Sequence, residues 1–341
     1  MPPRRTLIAI AVSGTVAVLG VAFAGWVLLR GEDVAADGDL IAYSCKEQHN
    51  VWYAICVSKV DGSERRRLTK GLATSTPMWS PDGRRIAFTR KEDIGDYMTY
   101  SDDDIFVMDA DGDNVKQLTA EREGRHADRP TWSPDGVQIA YVDGGSVASG
   151  QPSRPGNLRM MNSDGTEMRE LTRGEADTDP AWSPDGNSIA YGHCFNIDSP
   201  TLCTLDLFVL DLATGRQRQL TRTPGFYEAG PSWSPDGSQI AFTRWVAPAF
   251  ISGSASVHLI NRDGSGERLI LKHPEFLGGL HSLSWSPDGE TIAFVTSPNR
   301  ACTSISLVTV RSGVVRSLTS CERERESTRS PAWQPIRDKQ R

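Results

Sequence analysis

The stretch Pro77–Phe88, PMWSPDGRRIAF, decides the fold because the chain repeats it four more times. The further copies are PTWSPDGVQIAY (130–141), PAWSPDGNSIAY (180–191), PSWSPDGSQIAF (231–242) and LSWSPDGETIAF (283–294). Their tryptophans are 53, 50, 51 and 52 residues apart, and 48 residues later Trp333 lies in a truncated copy, SPAWQP (330–335). A period of about 50 residues is typical of proteins built from stacked supersecondary units.

Each copy predicts a β-hairpin. In SPDG the proline fixes φ at the first central position of the turn, the aspartate tolerates the second, and the glycine accepts a positive φ. Between copies, an apolar strand runs into a second turn (for example IFVMDADG, 105–112) and is followed by a strand that ends near Leu-Thr. Each unit therefore contains four short strands, which indicates a propeller blade or a solenoid coil.

The truncated last copy favours the propeller. Its missing half occurs near the other end of the chain, where Asp37–Tyr43 reads DGDLIAY with the spacing of Asp82–Phe88. One blade is thus assembled from both ends of the chain, which closes a ring. We predict an all-β, six-bladed β-propeller, and its repeat tryptophans are Trp79, Trp132, Trp182, Trp233, Trp285 and Trp333.

An uncharged stretch of 24 residues, Thr6–Leu29, precedes the repeats. At about 1.5 Å per residue it is long enough to cross a hydrocarbon core of roughly 30 Å. Arg4 and Arg5 before it keep the N-terminus inside, and Trp26 suits the outer interface. A cleaved signal peptide is the alternative, since Ala22-Phe23-Ala24 resembles a cleavage site. The predicted organisation is a cytoplasmic N-terminus (1–5), a transmembrane signal-anchor helix (6–29), a linker (30–36), the propeller (37–336) and a C-terminal tail (337–341).

The PxWSPDGxxIAF copies resemble the propeller repeats of TolB, the periplasmic partner in Tol-Pal systems, and of prolyl-oligopeptidase-type peptidases. The resemblance covers residues 37–336 and implies a TolB-like propeller. TolB carries an α/β domain before its blades, where this chain has the apolar stretch and a linker. The peptidases join their propeller to an α/β-hydrolase domain, for which no length remains here, so we expect no peptidase activity.

Composition and motifs exclude several function classes. The net charge is −6, and lysine and arginine are scattered, so the basic footprint of a nucleic-acid binder is missing. No G-x-S-x-G, P-loop or H-E-x-x-H motif occurs. The sequence therefore predicts no enzyme, no cofactor and no nucleic-acid partner.

Two acidic segments raise the question of a metal site. Asp109–Asn114 superficially resembles a calcium loop, but Ala120 stands where such a loop requires glutamate, so we expect a hairpin turn. The run Asp102–Asp104 is interpreted as a solvated loop, with a bound cation as the alternative. The six histidines never fall at close paired spacing and are interpreted as scattered surface or strand residues, although blades could bring His126 and His281 near one mouth. No metal site is predicted.

Six cysteines in an exported chain allow up to three disulfides. The position of each cysteine in its blade predicts the pairs Cys45–Cys56, Cys194–Cys203 and Cys302–Cys321. Buried free thiols are the alternative.

We predict a single-pass membrane protein with a monomeric propeller on the extracytoplasmic side that binds an envelope protein or a cell-wall component. The short linker places the SPDG turns toward the membrane and the longer loops on the opposite rim. Those loops contain residues of the types favoured at interface hot spots, although some of the aromatic ones would merely pack loop bases. The candidate binding residues are Tyr97, Tyr100, Arg125, His126, Phe195, Phe226, Tyr227, Arg244, Trp245, Phe250 and His281. The alternatives are an enzyme acting on carbohydrate at the channel mouth and a purely structural envelope scaffold.

Overall fold

The SPDG turn adopts the predicted hairpin in all five full copies. In the first copy the Gly83 amide donates to the Ser80 carbonyl oxygen at 2.8 Å, and Gly83 has a φ of 64°. The buried Ser80 hydroxyl donates to Asp82 and accepts a hydrogen bond from the Arg85 amide. The same glycine-to-serine bond recurs in the other four copies, where the serines are Ser133, Ser183, Ser234 and Ser286.

The computed structural model describes residues 39–46, 52–70, 73–91, 103–119, 125–145, 156–173, 176–195, 204–246, 255–273, 282–296, 303–319 and 327–336. The chain divides into two compact units, Met1–Ala36 and Asp37–Arg341. All of the described residues belong to the second unit. They form strands and turns and contain no helix.

The described strands follow the four-strand period of the sequence. In chain order they are β1 (Leu40–Lys46), β2 (Ala54–Lys59), β3 (Arg66–Arg67), β4 (Ala73–Trp79), β5 (Arg85–Lys91), β6 (Asp103–Asp109), β7 (Lys116–Gln117), β8 (Arg125–Trp132), β9 (Gln138–Gly145), β10 (Asn157–Asn162), β11 (Arg169–Glu170), β12 (Ala176–Trp182), β13 (Ser188–Cys194), β14 (Leu205–Asp211), β15 (Gln217–Gln219), β16 (Phe226–Trp233), β17 (Gln239–Val246), β18 (Ala255–Asn261), β19 (Arg268–His273), β20 (Ser284–Trp285), β21 (Thr291–Thr296), β22 (Ser304–Thr309), β23 (Val315–Ser317) and β24 (Ser327–Trp333).

These strands form antiparallel meanders. Four sheets have four strands each, in the orders β24-β1-β2-β3, β4-β5-β6-β7, β8-β9-β10-β11 and β20-β21-β22-β23. The fifth sheet contains two meanders, β12 to β15 and β16 to β19. A single parallel pair, Leu205 opposite Tyr227, joins them. The all-β prediction is confirmed, whereas the number of blades stays a prediction.

The middle strands are buried on both faces. In β5, Ile86 and Phe88 point to one face and Ala87 to the other, and all three are at most 1% exposed. Burying an isoleucine or phenylalanine side chain stabilises a fold by about 1.5–3 kcal/mol, so stacked sheets are strongly favoured over separate ones.

The repeat tryptophans connect neighbouring sheets. The Trp132 indole donates to the carbonyl oxygen of Met78 at 3.1 Å, in the preceding copy of the repeat. Trp233 and Trp285 make the equivalent bonds to Ala181 and Ser232. Trp182 differs, because its indole bonds within its own turn to the oxygen of Gly186.

The two ends of the repeat region meet in one sheet, as the split motif predicts. Strand β24 pairs antiparallel with β1. The Gln334 amide then donates to the Leu40 carbonyl oxygen at 2.9 Å, and Trp333 packs against a buried cluster that includes Tyr43.

The structure contains the predicted Cys45–Cys56 disulfide. Cys194 is also disulfide-bonded. Its predicted partner Cys203, and both members of the predicted pair Cys302–Cys321, lie outside the described residues. So does the predicted membrane span, and no helix of the described part is long and apolar enough to cross a membrane.

Candidate functional site: a central cavity and an aromatic rim

A central cavity of about 420 Å³ lies between the innermost strands, which are the strands that end at the repeat tryptophans. Where proline precedes the tryptophan by two residues, the strand carries a β-bulge, and the residue before that proline has a φ between 46° and 61°. Such bulges re-aim side chains at the rims of barrels and near functional sites. Here the bulged residues line the cavity, and they are Thr76, Arg129, Asp179, Gly230 and Ser330.

Arg129 is the only cation in this bulged set, and it bridges two carboxylates. Its Nη1 atom lies 2.5 Å from Asp179 Oδ1, and its Nε atom lies 3.5 Å from Asp128 Oδ2. The same Nη1 also donates to Thr178. Since Asp179 Oδ2 accepts from the Gly230 amide, the network links three consecutive innermost strands, β8, β12 and β16.

Asp128 extends this network to β4 and β5. Its Oδ1 atom accepts hydrogen bonds from Thr89 at 2.9 Å and from Thr76 at 3.2 Å. Burial alone would raise the pKa of Asp128, but the charges of Arg129 and His126 and the hydrogen bonds outweigh it and hold that pKa below its usual range. The cavity wall thus carries a cluster in which Arg129 joins Asp128 and Asp179. Sequence reasoning missed this cluster, and its only signal was a charged residue directly before the proline in two copies of the repeat.

His126 lies at the start of β8 beside this cluster. Its Nδ1 atom is 3.2 Å from Asp103 Oδ2, and its Nε2 atom is 3.9 Å from Asp128 Oδ2. Burial alone would lower the pKa of His126, but the bond to Asp103 and the two negative charges raise it overall. His126 therefore lies in a strand, as the sequence interpretation allows, and it is one member of a charged network.

Four predicted binding residues come together where β16 begins and β17 ends. Phe226 pairs with Val246, and Tyr227 pairs with Trp245, whose ring stacks on the tyrosine ring at 5.8 Å between centroids and an angle of 5°. Both rings are partly exposed. The Arg244 guanidinium lies 5.9 Å from the centre of the Phe226 ring.

Arg244 is held by two glutamates. Its side chain bonds to Glu228 Oε1, with Nε at 2.7 Å, and to both carboxylate oxygens of Glu267, at 2.5 and 2.9 Å. Burial raises the pKa of Glu228, although Thr223 and Arg244 donate to its Oε1. His258 Nδ1 lies 3.0 Å from Glu267 Oε1. Sequence reasoning identified Arg244 but neither glutamate.

Phe195 lies on the same rim, one residue beyond β13, and 51% of it is exposed. Its ring meets His193 edge-on at 4.9 Å and lies 5.7 Å from the Phe208 ring. His193 Nδ1 is 2.8 Å from the buried Asp177. This aromatic group is a second part of the rim.

The remaining candidates are not placed by the structure. Tyr97, Tyr100, Phe250 and His281 lie outside the described residues, and only the backbone of Arg125 is described. The structure thus brings together Phe226, Tyr227, Arg244 and Trp245. On the same rim it sets Phe195 beside the other meander of that sheet and His126 in a different sheet.

The acidic segments take structural roles. Asp109 to Asn114 form the predicted hairpin turn, in which the Asp109 amide donates to the Asp113 carbonyl oxygen. Asp104 is only 4% exposed and accepts from Thr119 and Gln117, so the solvated-loop interpretation is wrong at this residue. Within the described ranges, no group of three or more histidine, cysteine or acidic side chains is arranged to hold a metal ion.

Comparison with known families agrees with this geometry. Residues 98–336, well over half of the chain, match the model of the TolB β-propeller domain. The chain belongs to this family. Its fold is therefore a TolB-like propeller, an architecture that hosts many different functions.

Individual relatives are more distant. TolB from Acinetobacter baumannii superposes with a TM-score of 0.69 at 18% identity, over 89% of this chain and 69% of that one. A chain of a nidogen/laminin complex superposes with a TM-score of 0.64 at 9% identity, over 86% and 98%. Identities this low show the fold alone.

One curated relative has an enzyme name. The uncharacterised peptidase YuxL of Bacillus subtilis is 28% identical over 203 residues, which are 57% of this chain and 25% of that protein. The chain spans only 25% to 39% of the length of the curated relatives that it matches first.

Proposed function

We propose that this protein is a membrane-anchored, extracytoplasmic, six-bladed propeller that binds a protein or cell-envelope component noncovalently. The observation that carries the proposal is the grouping of Phe226, Tyr227, Arg244 and Trp245 at the rim opposite the SPDG turns. Tyrosine, tryptophan and arginine are enriched at interface hot spots because they supply large contact areas with a polar handle.

The side chains of the rim are held in place by their neighbours, which supports a preformed binding surface. The stack of Tyr227 on Trp245 and the double clamp of Glu228 and Glu267 on Arg244 fix these side chains before any partner arrives. A surface that is ordered in advance loses less conformational entropy on binding. One structural neighbour comes from a protein–protein complex, that of nidogen with laminin.

Six blades and membrane attachment are parts of the proposal. The six tryptophan-ended strands and the two meanders within the eight-stranded sheet support six blades. The uncharged stretch at residues 6–29 supports the anchor, because it is long enough to cross a bilayer.

The test is capture of partners from native membranes by the tagged full chain, with mass spectrometry of what is retained. We expect Tyr227→Ser with Trp245→Ser, or Phe195→Ser, to reduce capture at least about tenfold, as loss of a hot-spot aromatic does. The matched control is Val137→Ser, because Val137 is 55% exposed beside an SPDG turn. If the control abolishes capture while the rim variants leave it intact, the assigned face is wrong.

An enzyme acting at the channel mouth is the second candidate. The buried Glu228, whose pKa burial raises, favours it, since a general acid near neutral pH needs a raised pKa. The test is a screen of oligosaccharides and peptides for turnover. If the wild type turns over one of them and Glu228→Gln abolishes that turnover, the protein is an enzyme and the binding proposal is replaced.

A further inference from the structure

The outermost strand β19 differs from its five counterparts. It has six residues, whereas β3, β7, β11, β15 and β23 have two or three. It is the last strand of its sheet, and no described strand pairs with its other edge. Long edge strands are ready templates for another chain, and short edges are a usual protection against such pairing.

The physical reason for the extra length is a missing threonine. In the other five meanders, the threonine of the Leu-Thr motif accepts a hydrogen bond from a backbone amide of the third strand through its Oγ1 atom. The threonines and their donors are Thr69 with Ile55, Thr119 with Ile105, Thr172 with Leu158, Thr221 with Leu207 and Thr319 with Ile305.

That bond takes the place of a ladder bond, and each short outer strand ends just before it. In β19 the aligned residue is Leu271, which has no such hydroxyl. Backbone pairing therefore continues after a bulge, from Leu271 opposite Val257 to His273 opposite Ala255.

The side chains of β19 give the open edge a chemical character. Leu269 is 53% exposed, and Arg268 and Lys272 are exposed on either side. Ile270 and Leu271 pack against the buried cluster around Trp285, and these contacts hold the strand in place. The Ile270 carbonyl oxygen lies close to Gly313 of the next sheet. The backbone groups on either side of Ile270 are therefore the ones left to pair with a new strand.

Charge decides between possible occupants. The segment 268–273 contains two cations and no carboxylate. Glu267 just before it is already bound to Arg244. Pairing of β19 with β19 of a second copy would bring the same two cations to Arg268 and Lys272 and offer them no opposite charge. Like charges directly opposite across strands are destabilising.

We propose that the edge of β19 binds an extended segment of a partner protein, with an apolar centre and acidic residues on both sides, by adding it to the sheet as a further strand. Main-chain hydrogen bonds would supply the affinity, and Leu269, Arg268 and Lys272 would select the sequence. This surface is on the outer side of the meander and does not depend on the aromatic rim or on its proposed partner.

The direct test uses defined peptides and the purified full chain. Two labelled nine-residue peptides of alternating valine and threonine carry either aspartate or lysine at positions 3 and 7, which are four residues apart as Arg268 and Lys272 are. Fluorescence anisotropy at low salt should show at least about tenfold tighter binding of the aspartate peptide, since two cross-strand charge pairs change sign between the peptides. N-methylation of alternate amides of the aspartate peptide should abolish binding, because it removes the donors that a new strand needs.

Variants locate the contact. Arg268→Glu with Lys272→Glu should reverse the preference, and binding of the lysine peptide by this variant shows that it is folded. Lys272→Glu alone, at an exposed position, should weaken aspartate-peptide binding. Val315→Ser on β23 and Arg169→Glu on β11 are matched controls on short outer strands and should change nothing. The rim variants Tyr227→Ser and Phe195→Ser should also leave peptide binding unchanged, which separates this surface from the proposed function.

Three outcomes would overturn the proposal. The wild-type protein could bind neither peptide, it could bind the N-methylated peptide as tightly as the unmodified one, or the Arg268→Glu/Lys272→Glu variant could keep the wild-type preference. If the full chain instead self-associates in sedimentation, and Leu269→Ser makes it monomeric, a second copy occupies the edge and the partner chemistry proposed here is wrong.

Discussion

Ile41 lies directly opposite Trp333 in the antiparallel pairing of β1 with β24. The two residues are at opposite ends of the described chain, yet they occupy the positions that Ile86 and Trp79 occupy in an uninterrupted copy. The sheet that contains them is therefore an ordinary meander whose first strand comes from the C-terminal end and whose other strands come from the N-terminal end.

Removal of that C-terminal strand should destabilise the whole propeller. Deletion of residues 330–341 strips Ile41 and Ala42 of their backbone partners and exposes an edge of a buried sheet. We expect the melting temperature to fall by about 10 °C or more, because loss of a large buried side chain alone costs about 3–5 kcal/mol. Deletion of 337–341 removes no described strand and is the control. An unchanged melting transition after the longer deletion would contradict ring closure.

Local chemistry explains why the strands, turns and ring closure could be predicted from sequence. A Pro-Asp-Gly turn and an alternating Ile-Ala-Phe strand carry their information within a few residues, and repetition confirms it. The cavity cluster is different, because Arg129 and Asp179 are 50 residues apart and meet only through the stacking of two sheets. Likewise Arg244 was identifiable as a binding type, but its partner Glu267 depends on the long strand β19 and the hairpin that precedes it.

The disulfides can be mapped chemically. Non-reducing peptide mapping of the exported protein should recover Cys45–Cys56 and, as sequence predictions, Cys194–Cys203 and Cys302–Cys321. The Cys45–Cys56 bond spans 11 residues, so Cys45→Ala with Cys56→Ala should cost about 3 kcal/mol of unfolding free energy by the chain-entropy estimate. Reduced thiols at all six positions would contradict both the pairing and the predicted compartment.

Arg129 should couple energetically to Asp179. Arg129→Met leaves the buried Asp179 carboxylate without its cation, and we expect a loss of about 3 kcal/mol, since breaking a buried pair from one side is costly. Asp179→Asn in the Arg129→Met background should then cost much less than in the wild type. A double-mutant cycle by urea unfolding measures this, with a coupling of about 1–3 kcal/mol expected. Strictly additive losses would show that the two side chains do not act as a pair.

His126 and His258 should titrate on opposite sides of the usual histidine range. Burial opposes the charge of His126, but Asp103 and Asp128 raise its pKa, whereas burial and the Arg244 charge lower the pKa of His258. Histidine resonances followed by NMR from pH 4 to 9 give both midpoints in one sample, and about 6.5 is the reference. Asp103→Asn should lower the midpoint of His126 and leave that of His258 unchanged.

The raised pKa of His126 also predicts how stability depends on pH. Because the pKa of His126 is raised in the folded state, its contribution is fully present below about pH 6.5 and is lost as the pH rises through the folded-state value. His126→Gln should remove this part of the pH dependence. A midpoint of His126 at or below 6.5 would mean that burial outweighs the two carboxylates.

Two glycines of the outer turns should respond differently to the same substitution. Gly165 and Gly215 both have positive φ, at 91° and 70°, so an alanine at either position costs about 1–2 kcal/mol of backbone strain. A Cβ atom on Gly165 would lie 2.8 Å from the Leu118 carbonyl oxygen of the preceding sheet, whereas one on Gly215 would meet nothing within 4 Å. Gly165→Ala must therefore push two sheets apart as well, which adds about 1–3 kcal/mol.

The comparison isolates the contact between neighbouring sheets, because Gly215→Ala carries the backbone cost without the clash. Gly112 provides a repeat of the experiment, since its Cβ atom would lie 2.9 Å from the Leu68 carbonyl oxygen. We expect urea unfolding to rank Gly165→Ala and Gly112→Ala together as the more destabilising variants and Gly215→Ala as the milder one. Equal losses for all three would mean that the turns do not press on the sheets beside them, and that these outer contacts add nothing to the stacking of the blades.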